Sequence, residues 1–315
     1  MCRLFGLSAA PERVNATFWL VDAPDSLARQ SRDEPDGVGL GTFAPDGAPF
    51  VYKRPIAAYE DGGFAREAKE LSSATFIAHI RYATTGALTA PNTHPFEQDG
   101  RLLAHNGVVE GLDRLDEKIA AELSGVPTAP LPPSELVHGE TDSERIFGLI
   151  TAYARQGREV GDALVEAVIW IGAHLPVFAI NLILTTSTDL WALRYPDTHD
   201  LYVLHRAAGG GHGDRHLDHA SAAGTVRVRS ADLARSPSVV VATERMDEDP
   251  AWRLLAPGEL VHVAPGPVIT SRIGILPPPA HPLTLADLHA RARAAQASGR
   301  PAPRPPERLP DHPDD

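Results

Sequence analysis

The sequence predicts an α+β fold in which helices cover the outer faces of packed sheets. Short apolar or β-branched runs bounded by Gly, Pro and Asp occupy residues 2–106, helical periodicity takes over between 111 and 171, and strand-like runs return from 178 to 263. This order of strands, helices and strands is not the regular alternation of a doubly wound parallel sheet. With 43% apolar residues in 315, the chain can bury a large core.

Taken in order, Cys2–Ser8, Val38–Phe43, Phe50–Lys53, Thr75–Tyr82 and Leu102–Asn106 read as strands. Gly111–Ser124 carries Leu112, Leu115, Ile119 and Leu123 at helical spacing and ends in a proline-laden loop, 125–133. Two helices follow, Thr141–Gln156 and one with Val160, Ala163, Leu164, Ala167, Val168 and Ile171 on a single face suited to packing on a sheet. Ala179–Thr185, Leu190–Arg194, Leu201–His205, Val226–Arg229, Ser238–Ala242 and Leu260–Val263 are the later strands. Leu283–Gln296 reads as a last helix. The final 15 residues hold six prolines among alternating charges, a composition that cannot bury a core, so residues 298–315 are expected to be a disordered tail.

Composition excludes several classes of function. A net charge of −12 with no Lys/Arg cluster speaks against nucleic acid as a partner. The absence of an apolar run of membrane length speaks against a membrane span, and the short, charge-broken apolar start speaks against a secretory signal, so a cytoplasmic protein is expected. One cysteine excludes an intrachain disulfide framework and a cysteine-based zinc site. His205, His212, His216 and His219 form a second cluster of chemical interest. Their Gly-rich, charged surroundings lack helical spacing, so a solvated loop is expected rather than a metal site. No metal and no cofactor is predicted.

The remaining chemistry begins at Cys2. Cysteine is small enough at the second position for Met1 to be removed, which puts a free α-amine on the residue that carries the thiol. An amine titrating near 7.7–8.0 can take the proton of a thiol near 8.5 through a water, so nucleophile and base share one residue. A buried strand cysteine is the bland alternative. Arg81, in His79-Ile80-Arg81-Tyr82-Ala83-Thr84-Thr85-Gly86, ends an apolar strand and either clamps a carboxylate with its planar fork or makes a surface salt bridge. Asn106-Gly107 is first a hairpin-turn signal; the alternative is an oxyanion hole built from the Asn amide and the Gly N–H. In Gly139-Glu140-Thr141-Asp142-Ser143-Glu144, a capping box explains Thr141 and Glu144 but not Asp142, whose carboxylate suits a substrate ammonium group.

Together with Asn92-Thr93-His94-Pro95-Phe96, these ordered segments resemble the glutaminase domain of class II glutamine amidotransferases, which are N-terminal nucleophile hydrolases. The resemblance covers about residues 2–263 and implies a four-layer αββα sandwich. It implies Cys2 as nucleophile and base, Asn106 and Gly107 as the oxyanion hole, and Arg81 and Asp142 as clamps on the glutamine α-carboxylate and α-amine. Thr84 would line the same pocket, while His94 and His105 would order loops through hydrogen bonds. Thr85 departs from the histidine of the amino-sugar-forming members. Pro35-Asp36-Gly37-Val38-Gly39, Thr243-Glu244-Arg245-Met246-Asp247, Ala251-Trp252-Arg253 and Pro257-Gly258-Glu259-Leu260 resemble small stand-alone members such as the YafJ type and the ergothioneine-pathway amidohydrolase.

The expected organisation is an amidotransferase domain over residues 2–275, a C-terminal helix over 276–297 and the tail over 298–315, with no room for a synthase domain. The expected substrate is glutamine or a γ-glutamyl small molecule, hydrolysed by the chain alone. A glutaminase subunit that passes ammonia to a separate synthase is the second reading, and a silent γ-glutamyl-binding protein the third.

Overall fold

A computed structural model describes residues 2–23, 26–83, 86–124, 133–208, 218–220, 227–229, 235–247 and 249–297. Two seven-stranded sheets form the centre. The first runs Arg253–Leu254, Tyr202–Arg206, Ser238–Ala242, Arg3–Ser8, Thr75–Arg81, Gly37–Phe43, Pro49–Arg54. The second runs Val268–Ile273, Glu259–Ala264, Leu190–Tyr195, Pro176–Thr185, Arg101–Val109, Phe96–Gln98, with His281–Pro282 pairing alongside Pro176–Thr185.

Between the sheets lies an apolar layer that includes Leu4, Ile77, Leu102, Ile183, Leu190, Val241 and Val261. Glycines let the sheets close on one another. A Cβ on Gly41 would lie 2.6 Å from Leu102 Cδ1 of the opposite sheet, and one on Gly6 would lie 2.9 Å from Leu190 Cδ1. A second layer packs Phe5, Leu7, Leu40, Phe76 and Val240 under the helical segments Phe18–Asp22, Leu27–Gln30 and Gly62–Glu70. A third packs the other face of the second sheet under Leu112–Ser124, Asp142–Arg155 and Val160–His174. The result is helix, sheet, sheet, helix. Both faces of Arg3–Ser8 and Thr75–Arg81 are buried, so these strands read as continuous apolar runs without alternation.

Most strand and helix predictions agree with these bounds. The last helix does not. It spans only Ala290–Ala297, because residues 281–283 extend along the Pro176–Thr185 strand, with Leu283 N donating to Val177 O at 2.8 Å. Asn106-Gly107 does not turn a hairpin; it lies inside the Arg101–Val109 strand, opposite Asn181 and Ile180. The expected 298–315 tail lies outside the described residues, as do His212 and His216 of the histidine cluster, while His205 and His219 fall in the short strands Tyr202–Arg206 and Asp218–Ala220. Among the described residues, no helix is long and apolar enough to cross a membrane.

Candidate active site

Cys2 heads the Arg3–Ser8 strand, and neighbouring contacts pin it there. Leu4 N donates to Thr243 Oγ1 and Thr243 N donates to Leu4 O, both at 3.2 Å. The buried Arg3 guanidinium lies 2.8 Å from Glu244 and 3.7 Å from the buried Glu34. Thr243 and Glu244 thus fix the segment that carries the thiol, which is a physical reason for that motif.

The half-buried Cys2 Sγ is cradled by Tyr82, whose N–H donates to it at 3.2 Å and whose carbonyl accepts from it at 3.4 Å. Burial, reinforced by the Glu34 carboxylate, pushes the thiol up to about 11, against which the Tyr82 N–H and Arg81 pull only partly. At neutral pH the group is therefore a thiol, and it needs a base before it can attack a carbonyl.

The second sheet supplies Asn106 and Gly107. Asn106 Nδ2 donates to the Cys2 carbonyl at 2.9 Å, which ties the two sheets together at Cys2. A primary amide carries two N–H groups, so one remains on the same nitrogen. At Gly107 the backbone passes so close to the neighbouring strand that a Cβ would sit 1.8 Å from Ala179 O. Only glycine fits.

Asp142 opens the Asp142–Arg155 helix behind its N-cap, Thr141, whose Oγ1 accepts from Glu144 N at 3.2 Å. The capping box is half formed: Glu144 reaches past Thr141 to Gly139 N at 2.6 Å. Asp142 Oδ2 accepts from Val109 N at 3.0 Å and Oδ1 from Ser143 N at 2.9 Å, and the helix N-terminus favours its negative charge. Ser143 Oγ meets His105 Nδ1 at 2.9 Å, so His105 orders this helix start. Arg81 is buried, which rules out the surface salt bridge; its Nη1 donates to Ala87 O at 3.1 Å. Asn92 holds the same loop, donating to Ala87 O at 3.1 Å and to Glu140 Oε2 at 3.0 Å.

Cys2, Arg81, Gly107 and Asp142 line one cavity with Tyr82 and His105. Asn106 stands at its back, on the Cys2 carbonyl. Thr84, the remaining site residue, lies outside the described residues. Wider depressions beside Trp191 and His262 and beside Arg29 and Tyr59 contain no thiol. Among the described residues, no group of three or more His, Cys, Asp or Glu is arranged to hold a metal.

His94 is the exception to the hydrogen-bonding expectation. Its ring nitrogens are buried without a hydrogen-bond partner among the described residues, and the ring packs 4.0 Å from His79 and 4.7 Å from Phe96. Burial lowers His79 to about 3, His199 to about 4 and His94 well below 6.5, and it lowers His105 as well. These bases are neutral when folded but take up protons near 6.5 when unfolded. Their contribution is thus complete above that pH and is lost as pH falls through 6.5 toward 4. Each tenfold preference for the neutral form is worth about 1.4 kcal/mol. Thermal melts at pH 7.5, 5.5 and 4.5 should give a falling midpoint; a flat or rising series would contradict this account.

Glu34, Ser143 and the Tyr82 backbone are parts of the site that sequence reasoning missed. Ser143 lies within the segment that carries Asp142, where its neighbours supply the signal, but Glu34 precedes its nearest motif and carries no pattern of its own.

Two back-to-back sheets between helical layers, with a cysteine heading a central strand, define an αββα fold of the N-terminal nucleophile hydrolase type. Solved structures agree on the fold. A glutamine aminotransferase class-II domain protein from Silicibacter pomeroyi superposes with a TM-score of 0.54 at 17% identity, over 86% of this chain and 98% of that one. A predicted glutamine amidotransferase from Pseudomonas aeruginosa gives 0.55 at 21%, over 86% and 100%. The chain belongs to the class II glutamine amidotransferases, whose family model matches residues 1–277. The gamma-glutamyl-hercynylcysteine sulfoxide hydrolase of Mycobacterium tuberculosis H37Rv is 29% identical over 274 residues, covering 84% of this chain and 93% of that enzyme. A Methanocaldococcus jannaschii protein is 37% identical over 153 residues, 47% of this chain but only 37% of its own length. The glutamine–fructose-6-phosphate aminotransferase of Gluconobacter oxydans is 30% identical over 133 residues, 42% of this chain and 20% of that enzyme.

Proposed function

We propose that this chain is an amidohydrolase that cleaves the γ-amide of glutamine or a γ-glutamyl compound through a thioester on Cys2. The observation that carries the reading is the single cavity in which the Cys2 thiol meets Arg81, Asp142 and the Gly107 backbone.

Once Met1 is removed, the Cys2 α-amine takes the thiol proton and Sγ attacks the γ-carbonyl carbon. The carbonyl π pair moves onto oxygen, which accepts from the second Asn106 Nδ2 N–H and from Gly107 N–H. Collapse expels the amine, protonated by the Cys2 ammonium. Water, deprotonated by the same amine, then hydrolyses the thioester to glutamate and free thiol. Arg81 holds the α-carboxylate. Asp142 holds the α-ammonium: Oδ1 accepts from Ser143 N and, at 3.3 Å, from Ser143 Oγ, whereas Oδ2 accepts from Val109 N and has a second acceptor site for the substrate.

The match to the mycobacterial hydrolases supports hydrolysis by the chain alone, since it extends over 93% of one and 99% of another. The match to the aminotransferase supports the second reading, an ammonia-donating subunit with a separate synthase partner. Glutamate release from a panel of γ-glutamyl amides tests both. Release by the purified chain, from a protein whose intact mass lacks Met1, is the expected result. Release only when a copurifying protein is added would favour the subunit, and no release in either case would refute hydrolysis.

A further inference from the structure

The proposed reaction gives no role to the Pro35-Asp36-Gly37-Val38-Gly39 motif or to the residues beyond 277, where the family match ends. The two meet at Asp36. Gly37 pairs with Arg81, the last pair of the ladder between Gly37–Phe43 and Thr75–Arg81, and Asp36 carries the pairing one step further. Its N–H donates to Arg81 O at 3.1 Å, and its Oδ2 accepts from Ala83 N at 2.8 Å. These two bonds fall on either side of Tyr82, whose own N–H and carbonyl hold Cys2 Sγ. Asp36 thus brackets the thiol cradle.

The bracket is itself held. Arg291 Nη2 donates to the same Asp36 Oδ2 at 3.0 Å, filling the second acceptor site of that oxygen and fixing the orientation of the carboxylate. An exposed ion pair by itself contributes little. This one differs because the Asp36 side chain is only 16% exposed and shares its oxygen with the N–H of the buried Ala83. Arg291 is placed by its own segment, which is anchored on the second sheet. Leu288 and Ala292 are buried with Val108, Phe178 and Ala179, and His281–Pro282 pairs with Pro176 and Val177. Contacts therefore run from the Arg101–Val109 strand, through the Ala290–Ala297 helix, Arg291 and Asp36, to the Tyr82 cradle on the first sheet.

We propose that Asp36, clamped by Arg291, is a positioning residue that keeps the Tyr82 backbone on the Cys2 sulfur. The proposal rests on the reading of Cys2 as the nucleophile. An N–H pointed at sulfur stabilises a thiolate, and at Cys2 it works against burial and the Glu34 carboxylate, with Arg81 acting in the same sense. The Tyr82 N–H has this effect only while the backbone from Arg81 to Ala83 holds its course, because hydrogen bonds weaken steeply away from linearity. Asp36 sets that course from both sides of Tyr82. Its carboxylate charge, by contrast, disfavours a nearby thiolate, so a role through geometry and a role through charge have opposite signs.

The test uses Asp36→Ala and Asp36→Asn in the full chain, with the rate of Cys2 alkylation by iodoacetamide at pH 8.5 as a readout independent of turnover. Glu34 and Arg81 face the sulfur in every variant. Asp36→Ala loses the bond to Ala83 and the hold of Arg291, and should react about tenfold more slowly. Asp36→Asn keeps an amide oxygen for the Ala83 N–H and should recover most of the rate. Faster alkylation of Asp36→Ala, an unchanged rate, or an equally slow Asp36→Asn would overturn the assignment. In turnover of a γ-glutamyl amide the loss should appear in kcat rather than KM, since Arg81 keeps its backbone bond to Asp36 N. Should Asp36→Ala fail to fold, Arg291→Ala releases the same clamp from an exposed side chain. Hydrogen exchange at the Tyr82 and Ala83 amides should then be at least about fivefold faster than in wild type, and unchanged exchange would overturn the assignment. If wild-type protein releases no glutamate but alkylation still depends on Asp36, hydrolysis fails and the positioning role stands. If hydrolysis proceeds with no Asp36 dependence, the reverse holds. Absence of both overturns both.

Discussion

Cys2→Ala should lower glutamate release from any substrate of this protein by at least about a thousandfold, with binding retained. The side chain is small and the strand is held by Leu4, Thr243, Arg3 and Glu244, so the fold should survive the loss of one sulfur. The sharper form of the experiment keeps the thiol and removes only the base. Inserting a lysine between Met1 and Cys2 blocks exposure of the cysteine amine and leaves Sγ in the chain. With the thiol pushed up to about 11 by burial and by Glu34, roughly one molecule in ten thousand would carry a thiolate at pH 7 without assistance. The insertion variant should thus be nearly as inactive as Cys2→Ala. Iodoacetamide should alkylate it slowly, with a rate that rises with pH. Rapid turnover by the insertion variant would show that another group takes the thiol proton.

The site is more legible in the sequence than its surroundings are, for identifiable reasons. Cys2, Arg81, Asn106, Gly107 and Asp142 each sit in a short run whose residue types have a chemical use, and each run belongs to a strand or starts a helix. Side-chain commitments are harder to read. The Asn-Gly pair has the same letters in a hairpin turn and in the middle of a strand; what distinguishes them is Ala179 across the ladder, a partner more than 70 residues away. Gly62–Glu70 escapes prediction because its buried face amounts to Phe64 and Ala68, too few apolar positions to show a helical period. Val268–Ile273 escapes it for a related reason: it is the exposed outer strand of its sheet and lacks the alternation of a half-buried one. Arg291 carries no local signal at all. In Ala290-Arg291-Ala292-Arg293 the two arginines look equivalent, and only the return of the chain to Asp36 separates their partners: Arg291 donates to Asp36 Oδ2, Arg293 to the carbonyls of Leu285, Ala286 and Leu288.

Gly107→Ala should be nearly as damaging as loss of the thiol, and for a reason that combines packing with chemistry. The added methyl would sit 1.8 Å from Ala179 O and 2.5 Å from its carbonyl carbon, both backbone atoms of a central strand that cannot swing aside. The Arg101–Val109 and Pro176–Thr185 strands must therefore separate locally, breaking ladder hydrogen bonds next to the Val108/Val109 bulge. Overpacking of this kind costs about 1–3 kcal/mol of stability, and more where backbone must move. In the proposed mechanism the same displacement carries the Gly107 N–H away from the carbon that Cys2 attacks. Loss of one oxyanion donor costs about 100-fold to 1,000-fold in turnover. It also disturbs Asn106, whose Nδ2 is anchored on the Cys2 carbonyl at 2.9 Å and cannot follow without pulling on the strand that Cys2 heads. The expected phenotype is a lower melting midpoint together with a kcat reduced by at least about 100-fold, while the affinity for L-glutamate, read through Arg81 and Asp142, changes less. Normal kcat in a folded Gly107→Ala protein would mean that this strand does not supply the oxyanion donor.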